Sequence, residues 1–466
     1  MANANITTVN PATGKDIASY QYMTDAEVER IIDESHDAFL KWRETSHDER
    51  AKVIASISAK LLEYKDELAK LMTEERGKTY EHSLQEVDLC RSICDYTANV
   101  GVAALADDER EIKGIKKGIV TYQPIGIIYG IQPWNYPAYQ VIRYTIANLM
   151  AGNSILLKHA SNVTGSGLLI EKILHESDLP KALFRTLVIS HDQSEKIIEH
   201  TKVRGVTLTG SEKAGAIVAQ QAAKVLKKTV MELGSNDAFI VLEDADLELA
   251  AATCAFARLY NNGETCVAAK RFVVVDSVYD KFRELLISEF EKYTVGDPMD
   301  EATKVGPLST AKQRDTLTRQ VDASIENGAT VAYQATLASD LAPAGAFYPP
   351  TILENITEDQ PAYKDELFGP VAALIRAKDE EDAFRIANDS RYGLGGGVFS
   401  KDEDKAIRLA SKYFDTGMVY INGYSLVQPG LPFGGVKQSG YGREHGGFGI
   451  KEFVNIKAVH VVDRAP

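Results

Sequence analysis

The chain has 466 residues, of which 44% are hydrophobic and 25% charged, and its formal net charge at pH 7 is −14. This length exceeds what one ordinary hydrophobic core holds, so we expect two or three domains. The net negative charge argues against nucleic acid or an acidic membrane surface as a partner, but it leaves room for a local cationic pocket that binds a small anion. The 4 cysteines form no CxxC pair and no histidine cluster has metal-ligand spacing, so the sequence predicts neither disulfides nor a metal site.

The opening segment, MANANITTVNPATGK, has no basic stretch followed by an apolar one. No run of the sequence approaches the roughly 18 apolar residues of a membrane span. We therefore expect a cytoplasmic protein with reduced thiols.

Two capping-box signals open the N-terminal region. The spacing of a helix capping box occurs twice, in Thr24 with Glu27 and in Ser46 with Glu49. After each pair, apolar residues recur at helical intervals. These signals predict one helix that begins near Thr24 and a second that continues to about Gly77.

The next stretch changes from helical to extended character. Cys90 and Cys94 lie four residues apart in a third, less regular helical segment, which indicates core packing. From Ile112 the sequence reads IKGIKKGIVTYQPIGIIYGIQP, and these short β-rich runs broken by Gly and Pro predict strands, including a hairpin.

Beyond Pro137, apolar runs alternate with segments of helical period. SILLK, TLVIS, GVTLT and TVMEL predict a parallel sheet covered by helices on both faces. A second alternating region begins near Asp237, with strand candidates AFIVL, RFVVV and VAALI and helices near 247–260 and 276–293. The tail from Glu452, EFVNIKAVHVV, predicts an exposed strand whose edge can pair with another subunit.

Two of the four segments with chemical potential carry a thiol and a carboxylate. The run 261–266, NNGETC, is a polar bend that would place Cys266 at a turn, although a lone cysteine is more often a buried packing residue. In VMELG, Glu232 ends an apolar strand, where it is either a hydrogen-bonded structural acid or a general base with a raised pKa.

The other two segments carry an amide and a glycine-bearing turn. In PWNYP, two prolines hold the backbone around Asn135, which predicts either a rigid loop with an aromatic plug or an oxyanion donor. After GVTLT, the run TGSEKAG from 209 to 215 can begin a helix whose free N–H groups meet a dinucleotide phosphate. It is not a GxGxxG motif, and it is a weak signal alone.

Together, in this order and spacing, the four segments resemble the aldehyde dehydrogenase superfamily over essentially the full chain. Further motifs of that superfamily are ELFGP at 366–370, ND and YGL at 388–394, ING at 421–423 and PFGGVKQSG at 432–440. The resemblance implies an α/β fold, in which a Rossmann-type parallel-sheet cofactor domain joins an α/β catalytic domain and a small β oligomerisation element. The implied boundaries are 1–105 and 125–231, then 232–438, then 106–124 and 452–463, in a homodimer or a dimer of dimers.

The resemblance also implies the chemistry. The Cys266 thiolate would attack an aldehyde to give a thiohemiacetal, whose oxyanion the Asn135 amide and the Cys266 N–H would hold. Hydride would leave for a nicotinamide, and Glu232 would take a proton from the water that hydrolyses the thioester.

Two positions of the resemblance bear on the cofactor. Lys158 and Ser161 match positions that contact the adenine ribose, and many NAD-preferring members carry Glu at the second. Ser161 removes that negative charge and leaves Lys158 free to meet a 2′-phosphate, so we favour NADP over NAD. The resemblance assigns further cofactor contacts to Trp134, Gly210, Ser211, Gly215, Leu233, Glu366 and Phe368.

The choice of aldehyde depends on two more residues. Arg143 lies eight residues beyond Asn135 in a predicted helix, which would place both on one face and let the guanidinium bind a substrate carboxylate. It matches a carboxylate-anchoring arginine of succinate-semialdehyde dehydrogenases; the alternative is a surface or interface arginine. A second arginine of that group is Tyr260 here, which could line the pocket and donate a hydrogen bond. LLKHAS and AAKRF resemble the same bacterial branch, so we expect succinate semialdehyde as substrate.

The sequence departs from the family pattern at Ser235, His159 and Glu264, where Gly, Pro and Gln are common. Local packing or hydrogen bonding explains His159 better than catalysis does. Alternative substrates are glutarate semialdehyde, glyceraldehyde 3-phosphate and simple aliphatic aldehydes. A CoA-acylating enzyme, a plain hydrolase and a catalytically silent binding or structural relative fit the residues less well.

Overall fold

The computed structural model describes residues 5–339, 341 and 345–462. Within those ranges no helix is long and apolar enough to cross a bilayer. The helices are α1 (Asp25–Trp42), α2 (His47–Glu63), α3 (Lys65–Arg76), α4 (Tyr80–Ala104), α5 (Tyr139–Ala151), α6 (Thr164–His175), α7 (His191–Glu199), α8 (Glu212–Lys224), α9 (Leu247–Leu259), α10 (Asp276–Phe290), α11 (Ala311–Glu326), α12 (Pro361–Lys364), α13 (Glu380–Asn388) and α14 (Glu403–Tyr413).

The strands alternate with these helices over most of the chain. They are β1 (Asn5–Val9), β2 (Asp16–Gln21), β3 (Asp108–Arg110), β4 (Lys117–Pro124), β5 (Ile127–Gln132), β6 (Ser154–His159), β7 (Phe184–Thr186), β8 (Val203–Thr209), β9 (Lys228–Glu232) and β10 (Ala238–Val241). The later ones are β11 (Arg271–Val275), β12 (Thr330–Gln334), β13 (Thr351–Glu354), β14 (Val371–Ala377), β15 (Tyr392–Gly393), β16 (Gly396–Phe399), β17 (Tyr420–Ile421), β18 (Val436–Lys437), β19 (Gly440–Tyr441) and β20 (Val454–Val461).

Both predicted capping boxes are present. Thr24 caps α1 and Ser46 caps α2, and in each the glutamate three residues on returns a hydrogen bond to the cap backbone. The second helix was predicted to continue to about Gly77, and this is wrong. Tyr64 leaves helical geometry (φ −94°, ψ 10°) and separates α2 from α3.

A mostly parallel sheet with strand order β19-β9-β8-β5-β6-β7 forms the first core. Strands β5 to β9 pair in parallel, so their carboxyl ends meet at one edge. That edge presents the residues that follow the strands: Pro133 after β5, Ala160 after β6, Leu187 after β7, Gly210 after β8 and Leu233 after β9. Three of the four predicted strand runs are confirmed here, namely SILLK, GVTLT and TVMEL.

The prediction that the fourth run, TLVIS, forms a strand is wrong. The strand is β7, which ends at Thr186, where TLVIS begins. The Leu187 N–H still donates to the Leu157 carbonyl at 2.7 Å, but the chain then leaves the sheet edge and reaches Ser190, the cap of α7. The apolar character of this run reflects burial of Leu187, Val188 and Ile189 without strand pairing.

A second sheet, with order β12-β13-β14-β11-β10-β16-β17, confirms the alternation predicted beyond Asp237. AFIVL, RFVVV and VAALI lie in β10, β11 and β14, which pair in parallel with their neighbours, and the predicted helices are α9 and α10. The two sheets have separate apolar cores, and the short segment 233–237 between β9 and β10 connects them.

The third sheet has the order β20-β4-β3. The predicted tail strand is β20, which is largely exposed and pairs antiparallel with β4 along its whole length. The strands predicted from Ile112 are present as β4 and β5, but the hairpin predicted within this run is wrong. Strand β4 pairs instead with β3, which precedes Ile112, and with β20, whereas β5 joins the first sheet. The domain boundaries stay a prediction, and residues 1–4, 340, 342–344 and 463 of that division lie outside the described ranges.

Cys90 and Cys94 are fully buried in α4, which confirms their predicted packing.

Candidate active site

Cys266 lies just beyond a sharply turned loop at the end of α9. A short 3-10 turn over Tyr260–Gly263 places Asn261 and Asn262 in left-handed geometry (φ 55° and 57°), and Gly263 follows with φ 74°. A side chain at Gly263 would collide with the backbone of Gly369, which belongs to the ELFGP motif. The loop therefore needs glycine there, and it leaves the thiol partly exposed, unlike the other cysteines.

Two hydrogen bonds connect this loop to the PWNYP segment. The Asn261 side-chain amide donates to the Asn135 carbonyl at 3.1 Å, and the hydroxyls of Tyr136 and Thr265 lie 2.8 Å apart. Asn135 itself is 4% exposed, and its side-chain oxygen has no hydrogen-bond partner among the described residues. The predicted amide and the predicted nucleophile thus come from segments that are held together directly.

Glu232 ends β9 as a buried carboxyl group. It is 2% exposed, and neither carboxylate oxygen has a hydrogen-bond partner in the described part of the chain. Burial raises the pKa of Glu232 well above its usual value, and the nearby Arg143 only partly opposes that shift. A side chain added at Gly434 would come within 2.8 Å of Glu232 Oε1, so the PFGG motif leaves room for this carboxyl group.

The Cys266 thiol has an unfavourable environment for ionisation in this structure. Burial raises the pKa of Cys266 to about 12, while the positive charges of Lys270 and Arg143 oppose the rise. Because the thiolate is the nucleophile, a reaction at neutral pH needs these cations or an added base to favour it.

A cavity of about 380 Å³ brings most of the predicted residues together. Those that line it are Trp134, Asn135, Gly210, Ser211, Leu233, Cys266, Glu366 and Phe368. Thr209 and Gln313 also line it; Thr209 belongs to the predicted TGSEKAG segment but had no assigned role, and Gln313 was not predicted. Glu232 is absent from this wall, but its neighbours Leu233 and Gly234 belong to it.

An adjoining cavity of about 420 Å³ holds the other predicted cofactor residues. Lys158, at the end of β6, and Ser161 both line it, and Trp134 borders both cavities. The Lys158 side chain makes no ion pair or hydrogen bond with another residue in the described ranges, and burial lowers the pKa of its ammonium. The two cavities together form an elongated cleft along the carboxyl edge of the first sheet.

Helix α8 begins at this cleft. Ser211 is its N-cap, and the serine hydroxyl accepts a hydrogen bond from the Ala214 N–H at 3.3 Å. Gly215 does not line the cleft; a side chain there would meet Leu233 at 2.5 Å. Gly215 therefore allows the helix to approach β9 closely, and Leu233 packs under it.

The geometry predicted for Arg143 is wrong in one respect. Helix α5 begins at Tyr139, so Asn135 lies outside it and helical spacing does not relate the two residues. Arg143 is 2% exposed; its guanidinium donates to Thr209 Oγ1 at 2.9 Å, and its Nε lies 3.8 Å from Glu444 Oε1. It lines a small separate cavity with His445, and reaches the main cavity through Thr209.

Tyr260 does not line the main cavity either. Its hydroxyl donates to Gln85 Oε1 at 2.9 Å, and its ring packs 4.2 Å from the ring of His82. The hydrogen bond that we predicted toward a substrate is thus made within the protein.

The departures from the family pattern have structural partners. The ring nitrogens of His159 lie 3.2 and 3.0 Å from the Gln132 and Pro137 carbonyls, as expected for a local hydrogen-bonding residue. Glu264 pairs with Arg76 at 3.0 Å, and both are fully buried. Ser235 accepts a hydrogen bond from Lys270, a buried residue close to Cys266. Lys270 belongs to the AAKRF run, and no function was predicted for it from the sequence.

The chain matches the model of the aldehyde dehydrogenase family over residues 1–459. It is 42% identical over 456 residues to a succinate-semialdehyde dehydrogenase [NADP(+)] of Deinococcus radiodurans, covering 97% of this chain and 94% of that protein. It is 38% identical over 451 residues to a succinate semialdehyde dehydrogenase [NAD(P)+] of Escherichia coli, covering 97% and 96% respectively.

Solved structures agree. The succinic semialdehyde dehydrogenase of Streptococcus pyogenes, crystallised with NADP+, superposes with a TM-score of 0.95 at 37% identity, covering 98% of this chain and 100% of that one. The protein therefore belongs to the aldehyde dehydrogenase family, as the sequence motifs indicated, and the predicted fold class is confirmed.

Proposed function

We propose that this protein oxidises succinate semialdehyde to succinate with NADP+. The observation that carries the proposal is that Cys266 and Asn135 line one cavity and that Glu232 directly precedes Leu233 and Gly234 of the same wall. Neither carboxylate oxygen of Glu232 has a hydrogen-bond partner among the described residues. The names of the similar dehydrogenases support both the substrate and the cofactor.

The chain's own residues supply the acyl chemistry in this proposal. The Cys266 sulfur attacks the aldehyde carbon, and the Asn135 side-chain amide together with the Cys266 N–H stabilises the resulting oxyanion. A nicotinamide dinucleotide held by Trp134, Glu366 and Phe368 would supply the hydride acceptor. Glu232 then takes a proton from water, which attacks the thioester and releases the acid. A buried carboxyl group with a raised pKa suits that step because its ionised form is a stronger base than an exposed carboxylate.

The outer part of the cleft fits a phosphorylated dinucleotide. Lys158 is a cation with no partner in the described ranges, and it lines the outer cavity beside the uncharged Ser161. Trp134, Gly210, Ser211, Glu366 and Phe368 line the inner cavity, with the N-terminus of α8 open to it. Lys158 would hold a 2′-phosphate by charge.

Replacing Ser161 by glutamate should reverse the cofactor preference. A carboxylate at this position faces the 2′-phosphate and costs several kcal/mol for NADP+, so we expect the ratio of kcat/KM for NADP+ to that for NAD+ to fall about 100-fold. Steady-state kinetics with both cofactors measure it. Ser161→Gln is the matched control, which adds the same bulk without charge and should change the ratio far less. An unchanged ratio in Ser161→Glu would place the 2′-phosphate elsewhere.

Arg143 is the proposed source of selectivity for a carboxylated substrate. Its guanidinium bridges Thr209, at the wall of the main cavity, and Glu444. Glu444 Oε1 lies 3.8 Å from Arg143 Nε and accepts no hydrogen bond from it. Arg143 Nε is therefore a buried donor without a partner in the described residues. A substrate carboxylate would use the same positive charge.

Arg143→Met should therefore weaken turnover of succinate semialdehyde more than that of an uncharged aldehyde. We expect kcat/KM to fall about 10- to 100-fold for succinate semialdehyde, and by no more than about threefold for butanal, because a charged hydrogen bond contributes about 1.5–3 kcal/mol. Comparing the two substrates in both proteins measures this. Equal losses would show that Arg143 acts on the reaction through its protein contacts and not through the substrate.

Assembly as a homodimer or a dimer of dimers, and a cytoplasmic location, stay predictions. The exposed strand β20, at the edge of the third sheet, supports the first of these.

A further inference from the structure

Lys270 is a buried lysine directly beneath the nucleophile loop. Its side chain is 1% exposed, and its ammonium donates to the Cys266 carbonyl at 2.6 Å and to the Thr265 carbonyl at 3.2 Å. A buried ammonium loses its hydration, so it needs several acceptors and a counter-charge to remain stable. The acceptors here are the backbone of the reactive cysteine and of its predecessor.

Ser235 completes this arrangement. Lys270 Nζ donates to Ser235 Oγ at 2.8 Å, and the serine hydroxyl donates in turn to the Cys266 carbonyl. The sequence departs from the common LGG at this position, and the hydroxyl that it introduces is used entirely within the cluster. Lys270 and Ser235 therefore hold the same carbonyl oxygen from two sides.

The counter-charge of Lys270 is Glu366, whose side chain faces the cleft. Lys270 Nζ is 3.3 Å from Glu366 Oε1, and the Glu366 side chain is 18% exposed where it lines the main cavity. A side chain on Gly234 would come within 2.9 Å of Glu366 Oε2, so the carboxylate rests between Gly234 and the lysine. One ammonium thus contacts both the nucleophile loop and the acidic group of the ELFGP motif.

The neighbouring cation, Arg271, has a different environment. Its guanidinium is equally buried, but it donates to the carbonyls of Asn236, Ile386 and Ala387, and within the described ranges it makes no hydrogen bond to the cysteine loop. Arg271 therefore stabilises the packing of α13 against the sheet, and it provides a comparison for the loss of a buried cation that does not touch the nucleophile.

We propose that Lys270 is a positioning residue, which holds the Cys266 backbone and the Glu366 carboxylate at a fixed separation and favours the cysteine thiolate through its positive charge. The assignment of Glu366 to the cofactor rests on the proposed function, whereas the effect on the thiol does not. The other charged groups that act on Cys266 are Arg143, which also favours the thiolate, and Glu366 and Glu232, which oppose it.

The first test measures the thiol without substrate or cofactor. Lys270→Met retains the length of the side chain and removes the charge, so we expect the rate of Cys266 alkylation by iodoacetamide at pH 8 to fall about tenfold, equivalent to a rise of one pKa unit. Peptide mass spectrometry identifies the modified cysteine. Lys270→Arg should restore most of the rate. A Lys270→Met protein that is folded and alkylated at the wild-type rate would overturn the charge effect.

The second test concerns position. Ser235→Ala retains the lysine charge and removes one support of the Cys266 carbonyl, so we expect a several-fold lower kcat or higher KM for NADP+ with alkylation within about twofold of wild type. This variant also keeps the proposal testable if Lys270→Met does not fold. Arg271→Met removes a buried cation that makes no hydrogen bond to the nucleophile loop, so it should lower thermal stability without either change. Wild-type kcat and KM in Ser235→Ala would overturn the positioning effect. A wild-type protein that is inactive on every aldehyde would reject the proposed function, but the alkylation result would still hold.

Discussion

Cys266→Ala is expected to lower aldehyde-dependent reduction of the nicotinamide cofactor on the order of 10⁴-fold or more. The variant removes the atom that forms the covalent intermediate, and no other thiol can take its place: Cys90, Cys94 and Cys254 are fully buried. The absorbance of the reduced cofactor under saturating substrate measures the loss. Activity above about one per cent of wild type would mean that Cys266 is not the nucleophile.

Cys254→Ala is the matched control. Cys254 lies in α9 with no exposure, so its loss leaves only a small cavity and should cost about 1 kcal/mol of stability with kcat nearly unchanged. Binding of NADP+ to Cys266→Ala can be measured through quenching of tryptophan fluorescence. Binding at wild-type affinity would show that the variant is folded and that its defect is chemical.

Glu232→Gln is expected to stop the reaction after the first half. Hydride transfer precedes the step that needs a base, so the first turnover should proceed at near the wild-type rate and release about one reduced cofactor per subunit. The steady-state rate should then be about 10²- to 10⁴-fold lower, because water attacks the thioester without general-base assistance. Stopped-flow absorbance resolves the two phases, and added hydroxylamine should speed the second. A slow first turnover would assign Glu232 to an earlier step.

The folding of this variant can be checked through its pH dependence. Because burial raises the pKa of Glu232, the folded protein keeps a proton that the unfolded chain releases, and stability falls as pH increases through the interval between the two values. Glutamine does not titrate, so Glu232→Gln should be at least as stable as wild type at pH 8, and its advantage should shrink toward pH 4. Thermal unfolding at both pH values measures this; a variant less stable at pH 8 would contradict the burial cost.

Most regular elements and candidate residues could be predicted because their signals are local. The capping boxes at Thr24 and Ser46 and the apolar run of β11 depend on neighbours in sequence, and they are present as expected. The strand prediction for TLVIS was wrong because Leu187 to Ile189 are buried in a loop. A short apolar run looks the same in the sequence whether it is a buried loop or a buried strand. The relation between Arg143 and Asn135 misled because α5 begins later than assumed.

By itself the sequence determined the family and the identity of the groups at Cys266, Glu232 and Asn135, since residue types at characteristic spacings are a property of the chain. Only the tertiary structure decided which groups meet: that Glu232 has no hydrogen-bond partner in the described residues, that Arg143 engages Thr209, and that Lys270 joins Cys266 to Glu366. The physical reason is that burial and tertiary contacts set the charge state and position of a side chain, and both depend on residues that are distant in the sequence or in a different sheet.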